Sequence, residues 1–142
     1  MCSLMKFKKS LLLIIACPLS LISMINIAQA QTITMEQCFQ EMMVLNPMYP
    51  MQLDAYTEIV GSACYLNISG EVSQAHNYNI LVDTSTLPPN VPDTIKSSVV
   101  AYNCSNPQQL EALMGVGEIT NSYYDKITGN LYTSFTMSSK DC

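Results

Sequence analysis

Cysteine is the residue type in this sequence whose number and spacing could carry chemistry most directly. Two of the six cysteines lie in the first thirty residues, and the other four are spread over the remainder: Cys38, Cys64, Cys104 and Cys142. No pair has the Cys-x-x-Cys spacing of thioredoxin-like redox sites or zinc ribbons. A nucleophilic cysteine would need a base, and the single histidine, His76, stands in a polar stretch. The sequence therefore favours structural cysteines.

An even set of four cysteines in an exported domain indicates two disulfides, and spacing alone leaves three connectivities open. We favour Cys38–Cys64 with Cys104–Cys142, because each bridge then joins two elements within one half of the chain. By loop-closure entropy each would contribute about 3.5 to 4 kcal/mol, which is large for a small domain. Cys142 is thus interpreted as a structural residue whose disulfide fixes the C-terminus to the domain.

Methionine forms a second cluster with possible chemistry, within seventeen residues: Met35, Met42, Met43, Met48 and Met51. Thioethers are soft ligands that suit Cu(I), so a copper-binding protein is one hypothesis. Met35, Met42 and Met43 also recur at helical spacing, and methionine is a flexible core filler. We therefore expect core packing here, and no cofactor.

Three tyrosines near the C-terminus are candidate protein-binding residues: Tyr123, Tyr124 and Tyr132. An exposed aromatic set can form the centre of a protein interface. Aromatic residues on neighbouring strands also pack against one another in ordinary sheets. We favour packing and keep the binding surface as the alternative.

The composition and motifs argue against several classes of function. Residues 31–142 contain all eleven acidic residues but only three lysines and no arginine, so a nucleic-acid partner is not expected. The chain has no G-x-S-x-G, no H-E-x-x-H and no glycine-rich phosphate loop. We expect a protein without catalytic residues, hence no enzyme.

The first thirty residues have the pattern of a secretory signal peptide. Lys6, Lys8 and Lys9 precede an apolar run, and Ala28-Gln29-Ala30 fits the cleavage site. The run is broken by Pro18 and no second one follows, so no membrane span is expected. Residues 31–142 are then one periplasmic or secreted domain.

Cys17 offers a competing interpretation of the same segment. Ile14-Ile15-Ala16-Cys17 resembles a lipobox, in which the cysteine would be lipidated and become the first residue. Pro18 would then follow directly, and an apolar stretch would remain on the mature protein. A lipid anchor is therefore the disfavoured alternative.

Helix and strand patterns in the first half place Cys38 and Cys64 on buried faces. Thr34 and Gln37 form a capping box for a helix that ends at Asn46-Pro47, with Cys38, Phe39, Met42 and Met43 in its apolar repeat. Two β-rich runs, 55–60 and 63–69, flank Gly61-Ser62 and predict a hairpin. A third strand is expected around 80–82.

The second half predicts two helices followed by a hairpin. One helix starts at Asp93 or Thr94 and ends near Tyr102, and another is capped by Asn106 with Pro107 at its first position. Strands over 119–124 and 131–137 follow, the last with Leu131, Phe135 and Met137 as its apolar face. We predict an α+β fold: a small antiparallel sheet of four or five strands with two hairpins, about three helices and two disulfides.

The C-terminal half resembles that of a group of small uncharacterised exported proteins of Gram-negative bacteria. The residues that carry the resemblance form a spaced signature: Cys104 to Pro107, Tyr123 to Asp125, Gly129, Phe135 and Asp141-Cys142. The segment 53–70 also resembles that group's preceding hairpin. This chain departs from the group in lacking its arginines and in adding Cys38 and Cys64. The resemblance implies a Cys104–Cys142 disulfide.

These observations lead to one main hypothesis and two alternatives. The main one is a non-enzymatic exported domain that binds another exported protein, as a secretion accessory, an immunity protein or an inhibitor. A lipid-anchored, pilotin-like factor that uses Cys17 and chaperones an outer-membrane partner is the first alternative. A copper binder that uses Met35 to Met51 is the second.

Overall fold

The computed structural model describes residues 32–142. It contains three α-helices and five strands: α1 Met35–Leu45, β1 Met51–Gln52, β2 Thr57–Leu66, β3 Val72–Ile80, α2 Val91–Ser105, α3 Pro107–Gly115, β4 Ile119–Asp125 and β5 Leu131–Met137. The α+β class predicted from sequence is confirmed. The proposed signal peptide and Cys17 lie outside the described residues.

The strands form one sheet in the order β1-β2-β3-β4-β5. Every neighbouring pair is antiparallel except β3 and β4, which run parallel. The sheet is therefore mixed, and the prediction of a purely antiparallel sheet was wrong. Two helices separate β3 from β4 in the chain, and such a crossover returns the second strand in the same direction as the first.

β2 is one continuous strand, so the hairpin predicted at Gly61-Ser62 is also wrong. The register with β3 shifts between Ile59 and Gly61, which marks a β-bulge. The real turn follows β2, where the Asn67 side chain accepts hydrogen bonds from the backbone of Ser69 and Glu71. Gly70 completes this turn with a φ of 77°, a conformation that glycine adopts without strain.

α1 starts and ends where the sequence predicts. Thr34 and Gln37 form the capping box, with hydrogen bonds of 2.8 and 3.2 Å. Its rotation differs from the prediction, because Phe39 is 50% exposed and Met43 is 69% exposed. Only one narrow stripe of the helix faces the sheet, and it consists of Cys38, Met42 and Leu45.

Both disulfides have the connectivity that we favoured: Cys38–Cys64 and Cys104–Cys142. The first joins α1 to β2, and the second joins the last turn of α2 to the C-terminus. Cys104 lies in α2 because this helix continues to Ser105, beyond the predicted end near Tyr102, and α3 begins at Pro107 after its cap Asn106.

The buried apolar side chains form two separate clusters. The larger lies between the sheet and the helices α2 and α3: Ile59, Tyr78, Ile80, Val91, Ile95, Val99, Leu113, Val116, Tyr123 and Met137. The smaller lies beneath α1 and contains Cys38, Met42 and Val72. The N-terminal helix thus packs over a core of its own.

A second bulge changes the face of β5 that Leu131 occupies. Thr133 pairs with Tyr123, but Leu131 pairs with Tyr124, so Tyr132 is the extra residue. Phe135 and Met137 keep the predicted orientation toward the core. Leu131 is 56% exposed, which corrects its assignment to the apolar face.

Candidate protein-binding surface

The three C-terminal tyrosines do not share one surface. Tyr123 is fully buried and stacks on Tyr78, with 4.6 Å between ring centroids. Tyr132 packs against the larger cluster, whereas Tyr124 alternates with Tyr123 and so lies on the opposite face of the sheet. Tyr123 is therefore a core residue in this fold, and the binding role of Tyr124 and Tyr132 stays a prediction.

Within residues 32–142, the largest run of exposed apolar side chains on a helix lies on the outer side of α1. We call Phe39, Met43 and Val44, together with Met48 in the following turn, the α1 patch. Their exposed fractions are 50%, 69%, 67% and 47%. Phe39 and Met43 are neighbours at i and i+4 on the helix surface. Exposed apolar groups in such a run are typical of a protein-interaction site.

The sequence contained a signal for the α1 patch that the periodicity argument missed. The apolar residues of α1 extend round more of the helix than one sheet can cover, and Val44 falls outside the predicted stripe altogether. The disulfide then selects the rotation, because Cys38 must face Cys64. Phe39 and Met43 are turned outward as a result.

Two further contacts hold α1 in place. The side-chain amide of Asn46 donates to the Ser62 carbonyl and accepts from the Ser62 N–H, both at 3.2 Å. On the other side, the Gln74 amide donates to the Glu41 carboxylate at 3.3 Å. Burial raises the pKa of Glu41 above its usual value, and this hydrogen bond opposes the shift. The patch is thus carried on a fixed helix.

The part of the sequence that contains the α1 patch is acidic, although Lys126 from outside it pairs with Glu58 at 2.8 Å. Seven acidic residues and no lysine or arginine lie between residues 32 and 95: Glu36, Glu41, Asp54, Glu58, Glu71, Asp83 and Asp93. Glu36 lies three residues before Phe39 and is therefore its neighbour on the helix surface. An apolar patch in a negative field favours an apolar partner that carries basic residues.

The methionines of the proposed copper site occupy different environments. Met42 is buried under α1, and Met51 packs against the larger cluster. Met43 and Met48 are exposed, which corrects the expectation that Met43 packs in the core. This division agrees with core packing for some of the methionines and not for others, while copper binding stays the untested alternative.

A buried serine and histidine meet inside the sheet. The Ser62 hydroxyl lies 2.7 Å from Nδ1 of His76, a distance that in hydrolases serves to activate a nucleophile. Here His76 is only 4% exposed and Ser62 8%, and the Tyr49 hydroxyl bonds the same serine oxygen at 2.8 Å. Burial lowers the pKa of His76 to about 4, so its ring is neutral at neutral pH. The geometry fits a structural link between β2 and β3.

Residues 32–142 contain no cluster of three or more His, Cys, Asp or Glu side chains with the geometry of a metal site. Over the same range no helix is long and apolar enough to cross a membrane.

Comparison by sequence finds no matching protein-family model and no matching curated protein. Comparison by structure finds the same fold in several solved proteins. One is a protein from Pseudomonas aeruginosa that is thought to be secreted, with a TM-score of 0.60 and 14% identity. The match covers 76% of this chain and 91% of that protein.

Two further structures with this fold are pilotins of type II secretion systems. AspS from Vibrio cholerae has a TM-score of 0.54 and 14% identity, and the match covers 76% of this chain and 91% of AspS. EpsS from Vibrio vulnificus has a TM-score of 0.54 and 16% identity, with 76% and 90% covered. At these identities the comparison establishes a common fold.

Proposed function

We propose that this protein is an exported accessory of a secretion system, located in the periplasm or secreted, which acts by binding another exported protein. The observation that carries the proposal is the fold, which matches two type II secretion pilotins over nine tenths of their length. The fold alone does not fix a function, so the choice also depends on the surface.

The surface supports binding rather than catalysis. The α1 patch exposes two methionines and a phenylalanine, residue types enriched in the centres of protein interfaces. Methionine adapts its shape to a partner, and the disulfide keeps the helix that carries it ordered before binding. The partner we expect is an apolar segment of a secretion-system protein with nearby basic side chains.

Deletion of the gene in its host tests the role in secretion. We expect the amount of the system's secreted proteins in the medium to decrease and their amount inside the cell to increase. A plasmid with the wild-type gene should restore secretion, because the defect is caused by the loss of this protein alone. Unchanged secretion after deletion would contradict the proposed function.

A pair of substitutions tests the α1 patch within the same assay. Phe39→Asp with Met43→Asp replaces both exposed side chains by charges of the sign already present, and should fail to restore secretion. The matched control is Ser97→Asp with Ala101→Asp, which has the same spacing on an exposed part of α2. Equal restoration of secretion by the two variants would show that the α1 patch is not needed for secretion.

Two biochemical measurements test the remaining parts of the proposal. Turnover of peptide or peptidoglycan substrates by the purified protein would overturn a non-enzymatic role. Mass spectrometry of the mature N-terminus separates a free domain from a lipid-anchored factor, since a first residue at position 31 excludes lipidation of Cys17.

A further inference from the structure

The last strand, β5, forms one edge of the sheet, and the direction of its backbone groups follows from β4. Gln74 N–H donates to the Glu118 carbonyl, and Lys126 N–H donates to the Ile80 carbonyl, so even-numbered residues of β4 point toward β3. Odd-numbered residues of β4 must then point toward β5, where Asn121 pairs with Phe135 and Tyr123 with Thr133. The backbone groups of Ser134 and Thr136 therefore point away from the sheet.

Four backbone groups are left open at this edge, the N–H and C=O of Ser134 and of Thr136. Within residues 32–142 no other backbone group pairs with them. The opening has defined ends, since the bulge at Tyr132 precedes it and the Ser138 N–H beyond it is bonded to Asp141 at 2.7 Å. β5 itself contains no proline and no charged residue, the usual devices that keep an edge from pairing.

Part of the opposite edge of the sheet is protected. β1 covers part of β2, Pro47 and Pro50 flank that region, and the Asn46 side chain occupies the backbone groups of Ser62. The β1/β2 edge is thus occupied as far as Ser62, whereas no backbone group within residues 32–142 pairs with Ser134 and Thr136 of β5. Open edges of this kind accept a further strand.

We propose that a second copy of this protein pairs with the β5 edge in antiparallel orientation, with the two-fold axis at Phe135. In this register Ser134 of one copy faces Thr136 of the other, and each pair exchanges two hydrogen bonds. All four open groups of each copy are then satisfied. An isologous pair of this kind closes on itself and leaves no new edge.

The side chains of β5 fit this register on both faces of the sheet. On the face of the sheet opposite Phe135, which we call the open face, hydroxyl pairs already link Thr120 to Thr136 and Ser122 to Ser134, each at 2.9 Å. Pairing Ser134 with the second copy's Thr136 continues this hydroxyl ladder across the axis. On the other face Phe135, which stacks on Tyr123 at 6.2 Å, meets the same side chain of the second copy.

The local charge also favours a second copy over an acidic or basic partner. Residues 119–142 carry two acidic residues, Asp125 and Asp141, and two lysines, Lys126 and Lys140. The C-terminal hairpin is therefore neutral, although the domain as a whole is acidic. Two copies can approach through this edge without placing like charges opposite each other.

Sedimentation equilibrium of the exported, oxidised protein tests the proposal over a wide concentration range. We expect a reversible monomer–dimer equilibrium. Ser134→Lys with Thr136→Lys places an ammonium group opposite an ammonium group at both pairs and should raise the dimer dissociation constant at least about tenfold. Ser134→Lys with Thr136→Glu places opposite charges across both pairs and should keep the dimer.

The variant Ser134→Lys with Thr136→Glu also tests the register. If the two-fold axis lay at Ser134, the new lysines of the two copies would face each other. Loss of the dimer in both variants would therefore overturn the axis at Phe135. Ala63→Lys, on the exposed open face of β2, controls for added charge. A wild-type protein that stays monomeric at every concentration would overturn the proposal and leave the edge to an extended segment of a different protein.

Discussion

The two apolar clusters of this domain differ in how they hold the elements above them. Ten buried residues secure α2 and α3 on the sheet, whereas α1 rests on three, one of which is a disulfide cysteine. The larger core holds its helices mainly by burial, and the Cys104–Cys142 disulfide in addition joins the end of α2 to the C-terminus. The smaller core depends on the Cys38–Cys64 disulfide. Because this bond holds α1 on the sheet, the helix can expose apolar side chains and remain packed. We infer that the larger core is the scaffold and α1 is the element that meets a partner.

The sharpest test of the scaffold is loss of the Cys104–Cys142 disulfide. Cys104→Ser with Cys142→Ser should lower the free energy of unfolding by about 4 kcal/mol, because the bridge closes a loop of 38 residues. Urea unfolding of the variant and the wild type measures this difference. Cys142→Ser alone should in addition leave Cys104 as a titratable thiol, and an unchanged midpoint with no new thiol would contradict the assignment.

Loss of the Cys38–Cys64 disulfide should affect the small core and spare the large one. Cys38→Ser with Cys64→Ser opens a loop of 26 residues and should lower the free energy of unfolding by at most about 3.5 kcal/mol. Hydrogen exchange should show that the amides of α1 lose protection while those of β3 and β4 keep it. Uniform loss across the domain would break the distinction between the two cores.

Acid should destabilise the domain through His76, which bonds Ser62 between β3 and β2. Burial lowers its pKa in the folded protein from the ordinary 6.5 to about 4, so the folded state disfavours the protonated ring. The stabilisation is complete above pH 6.5 and is lost as the pH falls toward 4, by about 3 kcal/mol in total. The urea midpoints of the wild type and His76→Gln should converge as the pH is lowered from 6.5 to 4. Midpoints that change in parallel with pH would contradict the assignment.

The smallest effect on stability is expected at the α1 patch. Phe39→Ser and Met43→Ser replace side chains that are half or more exposed, so each should change the free energy of unfolding by no more than about 0.5 kcal/mol. Thermal unfolding checks this. A loss of several kcal/mol would mean that these side chains support the fold rather than a partner.

Local signals in the sequence were enough to place several elements. The Thr34 and Gln37 box, Asn46-Pro47, and the cap and proline at Asn106-Pro107 fixed the helix ends because each depends on neighbouring residues only. The strands of the last hairpin were also predicted with nearly the observed bounds. Pairing of cysteines followed from the same elements.

Other features depend on contacts between distant residues and were not predictable in this way. The rotation of α1 is set by Cys64, and the parallel pairing of β4 by the path of two helices. β3 was expected around 80–82 and is found at Val72–Ile80. Most of it was missed because its buried face includes His76, whose partner Ser62 comes from another part of the chain. Gly61 indicated a turn, but the strand only bulges at the preceding residue, and Gly61 and Ser62 continue to pair with β3.

Photo-crosslinking in intact cells tests the central claim, that the exposed side of α1 holds a secretion-system protein. A photoreactive amino acid at position 39 should yield an adduct with one component of that system, identified by mass spectrometry, and Phe39 is exposed enough to accept the probe. The same probe at position 97 on α2 should yield none. No adduct at position 39, or equal adducts at both positions, would contradict the account.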